Sequence, residues 1–459
     1  MVGPEYSLPG DALVNGSAEK GPFVGAKGQS ALAIAPVPDG WWKLYADSRL
    51  DGLIQSALAA NTDLRSAAAN LERSHALLAE AKTLREPSVT LNGGLDYGQV
   101  AGEQYLQRVT PPLNWGYETE MTVGYDLDLF GGIRRGIEAA SAEDDAVSAA
   151  DDLVRINVVA GTARAYELAC GVGLELVSSQ RSLALQRQSL ALTERLMVRG
   201  RADDLDVTRQ RQLVSELQES IPSLEAAQKN ALLQLAVLTG RAPAQYDTDL
   251  ESCSRPPRVL SALPVGDGAA LLKRRPDVRQ AERLLAAATA EIGVATAQLY
   301  PDIQIGLSGG SIGVVPDAFT SPTNLWSLGI AVNWQVNQDA VRAKIVAANA
   351  GAKLALANFD GTVLQALREV ESALNNYGHD LQKEGSAIDS RNQAERAVNE
   401  ARRLELGGRA NELSVLDAQR TLANANLSLA EVQATISDDQ VAIFLSLGGG
   451  WQTESLAAK

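Results

Sequence analysis

The side chains able to do chemistry are few and far apart. The chain carries two histidines, His75 and His379, and two cysteines, Cys170 and Cys253, in 459 residues. Metal-binding and nucleophilic sites need such groups at short, fixed spacings. Neither a disulfide framework nor a His/Cys metal cluster can be assembled from these four. His75 and His379 stand isolated on helical stretches and read as surface or seam residues. Cys170 and Cys253 could pair in an oxidising compartment, but their separation in sequence sets no distance, and free thiols are the expectation. There is no zinc motif, phosphate loop or nucleophile elbow. Gly309-Gly310 and Gly448-Gly449-Gly450 lack the strand-to-helix setting of a nucleotide loop. No catalysis, cofactor or metal is therefore expected. The groups that do recur at a fixed spacing are carboxylates: Glu118, Glu120, Asp126 and Asp128, with Asp96 earlier in the chain. Rings of carboxylates along a pore favour cations.

These carboxylates lie on elements with a clear period. Over 117–129, Tyr117, Thr119, Met121, Val123, Tyr125, Leu127 and Leu129 alternate with Glu118, Glu120, Thr122, Gly124, Asp126 and Asp128. Period two over that length predicts a long strand with one apolar and one wet face. Residues 89–98 alternate in the same way, and a turn-rich stretch with Pro111-Pro112 joins the two into a hairpin. A second hairpin is expected from Ile303, Ile305 and Leu307, then Trp326, Leu328, Ile330, Val332, Trp334 and Val336. Trp326 and Trp334 share one face eight residues apart, about 27 Å of strand, which fits two interfacial aromatic girdles. A soluble antiparallel sheet is the competing reading of these strands.

The remaining sequence is helical and long. Residues 131–199 and 338–406 contain no proline, and each would span about 100 Å if continuous. Each turns back at glycine, Arg199-Gly200-Arg201 or Gly407-Gly408-Arg409, into return arms over 203–240 and 410–447. Seven-residue seams run through Leu176, Leu183, Leu190 and Met197, and through Val415, Leu422, Leu429, Ile436 and Ile443. Second seams, displaced by two positions, start at Leu185 and Leu192, and run through Leu406, Leu413, Leu427 and Val441. Two positions is about 200° of rotation, so each helix has neighbours on nearly opposite sides. A curved palisade satisfies that better than a two-stranded coiled coil, with a large soluble helical bundle as the alternative.

The chain repeats itself. At an offset of 208, Arg195-Leu196, Gly200-Arg201-Ala202, Leu205 and Val207 match Arg403-Leu404, Gly408-Arg409-Ala410, Leu413 and Val415. At an offset of 214, Asp63, Leu71, Ala81 and Pro87 match Asp277, Leu285, Ala295 and Pro301. Each half reads helix, hairpin, long helix, turn, return helix, a duplicated unit.

Composition agrees with this plan. The net charge of −15 argues against nucleic-acid binding, which needs basic surface. Aromatics are only 5 % and alanine, at 71 residues, is the commonest type, which favours closely approaching helices over one thick core. No run of about 18 apolar residues exists, so no helix crosses a membrane. No signal peptide is present, and residue 1 reads as a true start or a processing boundary. Four strands with one apolar face cannot close a barrel, and open edges in lipid cost several kcal/mol per unpaired group. Three chains give twelve strands, an even number in the usual range. The sequence therefore predicts an α+β membrane protein: a trimeric twelve-stranded β-barrel, four strands per chain, continued by a long α-helical barrel.

At this point the sequence resembles the TolC-like outer-membrane efflux channels, in the lipoprotein branch associated with resistance-nodulation-division pumps. The resemblance rests on the order of several stretches: Val2-Gly3-Pro4-Glu5-Tyr6, Trp41-Trp42 with Asp47 and Leu50, Asn61-Thr62-Asp63-Leu64, Asp126-Leu127-Asp128-Leu129-Phe130-Gly131, Arg274-Arg275-Pro276-Asp277, Leu416-Asp417-Ala418-Gln419-Arg420 and Leu447-Gly448-Gly449-Gly450-Trp451. Two features depart from the family. Met1 stands where the acylated Cys would precede Val2, so the lipid anchor lies upstream or is missing. Gln338-Asp339-Ala340 replaces Asp-Gly-Gly after the fourth strand.

The resemblance implies a passive homotrimeric conduit in outer-membrane lipid that exports small molecules delivered by an inner-membrane pump through a periplasmic adaptor. Type I protein secretion and metal-ion export are the alternatives within the family, and a soluble helical scaffold the alternative outside it. Only three methionines are present, which gives no support to metal export. The family's periplasmic gate maps onto Leu413, Asp417 and Arg420, and Arg420 interrupts a seam where an apolar residue is expected. A structural role in setting register is the competing reading of that arginine. Asp204, Asp206 and Arg209 are a second candidate set, and solvated charge on a helix face explains them equally well. The turns at Arg199, Gly200, Arg201 and at Gly407, Gly408, Arg409 are the expected adaptor contacts. The implied organisation is an N-terminal arm over 1–46 and barrel hairpins over 88–130 and 301–338. A helical barrel is formed by 47–87, 131–240, 267–300 and 339–447, with linking segments at 241–266 and 448–459.

Overall fold

A computed structural model describes residues 2–17, 19–99 and 110–449. The two strands of a small parallel pair are β1, Leu32–Ala33, and β4, Leu263–Pro264. Between them in chain order come α1 (Ser48–Ala60), α2 (Thr62–Thr83), β2 (Ser88–Gly98), β3 (Asn114–Asp126), α3 (Gly132–Val198) and α4 (Asp204–Leu238). After β4 come α5 (Gly268–Arg274), α6 (Pro276–Ala297), β5 (Asp302–Val314), β6 (Asn324–Asn333), α7 (Asp339–Leu406) and α8 (Glu412–Ser446).

The duplication is built into these bounds. Helices α2 and α6 are each 22 residues long and start 214 positions apart, and α4 and α8 are each 35 residues long and start 208 positions apart. Four glycines with left-handed backbone, Gly200, Gly240, Gly408 and Gly448, close α3, α4, α7 and α8. In each closure the next amide donates five residues back: Arg201 N to Leu196 O, Arg241 N to Ala236 O, Arg409 N to Leu404 O and Gly449 N to Phe444 O. This is the glycine stop in which a residue without Cβ accepts positive φ and the orphan carbonyls are satisfied. Leu406 is the last residue of α7 and 90 % exposed. It therefore does not share a seam with Leu413, Leu427 and Val441 of α8, because the turn at Gly408 breaks the helical phase between them.

The chain divides into two compact units. The first comprises 1–10, 70–148 and 280–359 and contains a four-stranded antiparallel sheet in the order β2-β3-β5-β6. Cross-strand partners share a face. One face therefore carries Val89, Leu91, Leu95 and Tyr97 opposite Val123, Met121, Tyr117 and Trp115, then Ile305, Leu307 and Trp326 beyond. The other carries Asp96, Glu118, Glu120 and Asp126 with Thr90, Asn92, Gln304 and Ser308.

Strand bounds differ from the expected ones in three places. Strand β3 ends at Asp126, and the Asp128 carboxylate instead accepts from the amides of Ile133 and Arg134 at 3.0 and 2.9 Å. It satisfies orphan donors of the first turn of α3, so it is a helix cap and not part of the wet strand face. Strand β5 runs to Val314, six residues beyond the expected alternation. Strand β6 ends at Asn333, so Trp334 is off the strand, and its indole N–H donates to Leu299 O at 3.1 Å. The two tryptophans are thus not a matched pair on one strand. Gln338, at the departure from the family pattern, donates to the same Leu299 carbonyl and starts α7.

The second unit comprises 11–69, 149–279 and 360–459 and holds the main hydrophobic core. Trp41 is fully buried and stacks on Phe444 of α8 at 4.8 Å. Leu50 and Ile54 of α1, Tyr166 of α3, Leu232 of α4, Leu374 of α7 and Ile436 of α8 pack into the same cluster. Asp47 caps α1 through the amides of Arg49 and Leu50 and also accepts from the Tyr166 hydroxyl. The Arg275 guanidinium holds Asp277, Glu369 and the Ser446 carbonyl together. These are fastening roles for residues that carried the family resemblance. Cys170 and Cys253 form a disulfide. The free-thiol expectation fails because the fold brings α3 against the segment after α4, across 83 residues of sequence.

Candidate functional site

The sheet has two properties that bear on transport. Among the described residues its outer strands β2 and β6 have no partner on their outer edges, and its apolar face is open. Leu91, Leu95, Trp326, Leu328, Ile330 and Val332 are all exposed, Trp326 by 80 %. A water-exposed sheet would not present so continuous an apolar surface. The opposite face offers the carboxylates of Glu118, Glu120 and Asp126, with Asp96 paired across from Gly116.

The gate candidates lie at the start of α8. The Arg420 guanidinium donates to the Asp417 carboxylate at 2.6 Å, one helical turn away, and both side chains are partly exposed. Leu413 is half-buried in the first turn. The seam interruption at Arg420 is thus occupied within the chain by an ion pair of the kind worth a few tenths of a kcal/mol in isolation, about 0.3–0.5. At the matching place on α4, Asp206 completes a capping box with Asp203: Asp206 N donates to Asp203 Oδ1 and Asp203 N to Asp206 Oδ2. That local duty accounts for Asp206. Asp204 and Arg209 are both exposed near it.

The turn residues Arg199, Gly200 and Arg201, and Gly407, Gly408 and Arg409, occupy equivalent stops after α3 and α7. A Cβ at Gly200 or Gly408 would meet nothing within 4 Å, but φ is +68° and +70°. A larger residue there is limited by backbone strain and not by space.

Sequence reasoning missed several placements. His75 is not isolated: its Nδ1 lies 2.9 Å from Asp144 on α3. A stripe of Ser179, Ser182, Gln186, Ser189 and Thr193 along α3 is buried, and Gln186 and Ser189 both donate to Gln210 Oε1 of α4. Its 3-4-3-4 spacing was available as a signal, because a heptad seam can be polar as well as apolar. Buried carboxyls escaped notice as well. Glu167 is enclosed on α3 near Tyr45, and burial pushes its carboxyl well above the usual range. Asp439, beside Asp380 and Asp438, is pushed up to about 7, first by burial and then by those neighbours. Gly450 and Trp451, with the rest of 450–459, lie outside the described residues, as do 100–109 of the first hairpin loop.

Residues 53–241 and 269–449 match the family described as outer membrane efflux protein. The pyoverdine export outer membrane protein OpmQ of Pseudomonas putida is 30% identical over 445 residues, 95% of this chain and 93% of that one. The toluene efflux pump outer membrane protein TtgI of the same species is 29% identical over 464 residues, 98% of this chain and 95% of that one. The solved outer-membrane channel OprN superposes with a TM-score of 0.89 at 31% identity, over 98% of this chain and 100% of that one. With the fold of long helices and a four-stranded sheet already in hand, these matches place the chain in the outer membrane efflux protein family, as a bacterial outer-membrane channel of efflux pumps and a transport protein, not an enzyme.

Proposed function

We propose that three copies of the chain close one twelve-stranded barrel in the outer membrane, with the apolar sheet faces toward lipid and the carboxylate faces toward the lumen. The observation that carries this reading is the unpaired outer edge of β2 and of β6 on a sheet whose apolar face is exposed. In lipid those edges must find partners, and β6 of one copy against β2 of the next supplies them. The α-helices then form the periplasmic part of a passive conduit. An adaptor contacts the glycine turns at Gly200 and Gly408, and an inner-membrane pump supplies small-molecule substrates. Leu413, Asp417 and Arg420 form the periplasmic gate. Val2 N donates to Phe130 O, which puts Val2 beside the junction of β3 and α3.

Paired cysteines on the two edges test the trimer. Asn92→Cys on β2 and Ser327→Cys on β6 are introduced together and the membranes oxidised. Cross-linked species ending at three chains are expected. Monomers only, from protein that still binds membrane, would overturn the trimeric barrel. Export of a fluorescent dye from cells lacking their own channel, restored by the wild-type chain, tests the small-molecule assignment.

A further inference from the structure

We propose that the first compact unit carries a binding site for the phosphate of an anionic phospholipid headgroup, beside the ends of its strands. The site is a cavity of about 350 Å³ between the end of α2, the start of α3 and α6. Its floor is apolar, with Ile137, Ala142 and Ala286 buried and Tyr6 packed against the last two of these. Its rim is basic: Lys82, Arg85, Arg134 and Arg283 all line it.

The charges in the cavity are not balanced. Two carboxylates also line it, Glu138 and Asp145, and each already has an arginine. Glu138 accepts from Arg135 at 2.6 Å, and Asp145 lies 3.9 Å from Arg283, which also holds Glu282. Lys82, Arg85 and Arg134 make no side-chain hydrogen bond or ion pair among the described residues, and all three are exposed. A phosphate diester supplies what they lack: a diffuse negative charge with several acceptor oxygens, which guanidinium groups bind through paired N–H donors.

Their position selects the lipid. Lys82 is the penultimate residue of α2, and Arg85 lies in the three-residue turn before the start of β2 at Ser88. Arg134 is the third residue of α3, close after the end of β3. The three cations therefore stand close to the strand ends in sequence: Lys82 and Arg85 are six and three residues before Ser88, and Arg134 is eight after Asp126. At the same end are exposed Leu84, Val89, Leu129, Trp334 and Val336, and Phe130 stacks on Tyr300. Aromatic and apolar groups of this kind mark a membrane–water interface, and basic pockets at that level bind lipid headgroups. The long aliphatic stems of Lys82, Arg85 and Arg134 can follow the apolar surface while their charges reach the phosphate plane. The inference rests on the reading that this sheet is the membrane part.

The test uses the full chain purified in a neutral detergent. Phosphatidylglycerol is expected to raise the melting midpoint and to bind at least tenfold tighter than phosphatidylcholine. The variant Lys82→Gln/Arg85→Gln/Arg134→Gln should lose that tenfold preference, while Lys353→Gln/Arg396→Gln, elsewhere on α7, should keep it. Equal binding by wild type and the triple variant, or no preference over phosphatidylcholine, would overturn the site. Displacement by millimolar inorganic phosphate with no lipid preference would identify a free-phosphate site and overturn the lipid assignment. Flotation with phosphatidylcholine vesicles reports membrane insertion separately. Wild type and triple variant are both expected to float, and a wild type that stays in solution would overturn the membrane reading beneath the proposal.

Discussion

Cys170 of α3 is covalently joined to Cys253, so the part of α3 after Cys170, the turn at Gly200 and all of α4 lie inside a loop closed across 83 residues. Cross-links stabilise largely by restricting the unfolded chain, and the effect grows slowly with loop length.

Replacing both cysteines by serine is expected to lower stability by about 2–4 kcal/mol, read as a lower midpoint in thermal or guanidinium unfolding. Expression without periplasmic oxidation should give the same loss. An unchanged midpoint would mean that the surrounding core alone holds the segment after α4.

A second prediction concerns pH. Asp439 of α8 is pushed up to about 7 by burial, Asp380 and Asp438. An isolated aspartate titrates near 3.9, so the folded chain holds this proton more tightly than the unfolded one. Its stabilising contribution is complete below about pH 4 and is lost as pH rises through about 7. The melting midpoint of the wild type should therefore fall between pH 5 and 8, and Asp439→Asn should raise the midpoint at pH 8 and flatten the dependence. A steeper dependence in the variant contradicts the assignment.

The proposed gate makes a functional prediction. Asp417→Ala with Arg420→Ala removes the 2.6 Å pair and, in the proposed trimer, the ring of charge that three such pairs would make. Single-channel conductance in planar bilayers should rise several-fold, with little change in melting midpoint because an exposed pair contributes well under 1 kcal/mol. Conductance equal to wild type would remove both residues from the gate.

The glycine turns separate strain from contact. Gly408→Ala adds a Cβ in open space at φ +70°, at a cost of about 1–2 kcal/mol. Gly408→Trp incurs the same strain and adds bulk at the proposed adaptor contact. Drug resistance retained with alanine but lost with tryptophan, at equal trimer levels in the membrane, is the expected split. Normal resistance in both would refute the contact.

Lumen charge is testable by reversal potential in a salt gradient. Glu118, Glu120 and Asp126 on one face of β3 predict weak cation selectivity, reduced by Glu118→Gln with Glu120→Gln. Anion preference in the wild type contradicts the lumen assignment.

Much of this architecture was legible in the residues because its periods are long. Alternation through 117–126 located β3 and its two faces, and the glycines at 200 and 408 located the stops of α3 and α7. What escaped depends on three-dimensional neighbours. Asp128 continued the alternation in sequence, yet the unpaired amides of Ile133 and Arg134 recruited it as a cap. Trp334 kept the period of β6, but the strand had already ended and its indole turned to Leu299. Cys170 and Cys253 stand in different elements, and only packing decides their distance. Of the candidate gate, the types and spacing of Asp417 and Arg420 were readable, and their pairing within one chain was not.

The buried stripe of Ser179, Ser182, Gln186, Ser189 and Thr193 makes the two copies of the duplicated unit chemically unequal. Prying apart an apolar interface exposes surface at about 25 cal/mol per Å², and both return arms bury such groups, Val207 on α4 and Val415 and Ala423 on α8. Hydroxyls and amides parted from each other are rehydrated instead. The α3–α4 arm can therefore trade the bonds of Gln186 and Ser189 to Gln210 for bonds to water, an exchange with no counterpart at Ala394, Ala397 and Ala401, which hold the places 208 positions on in α7.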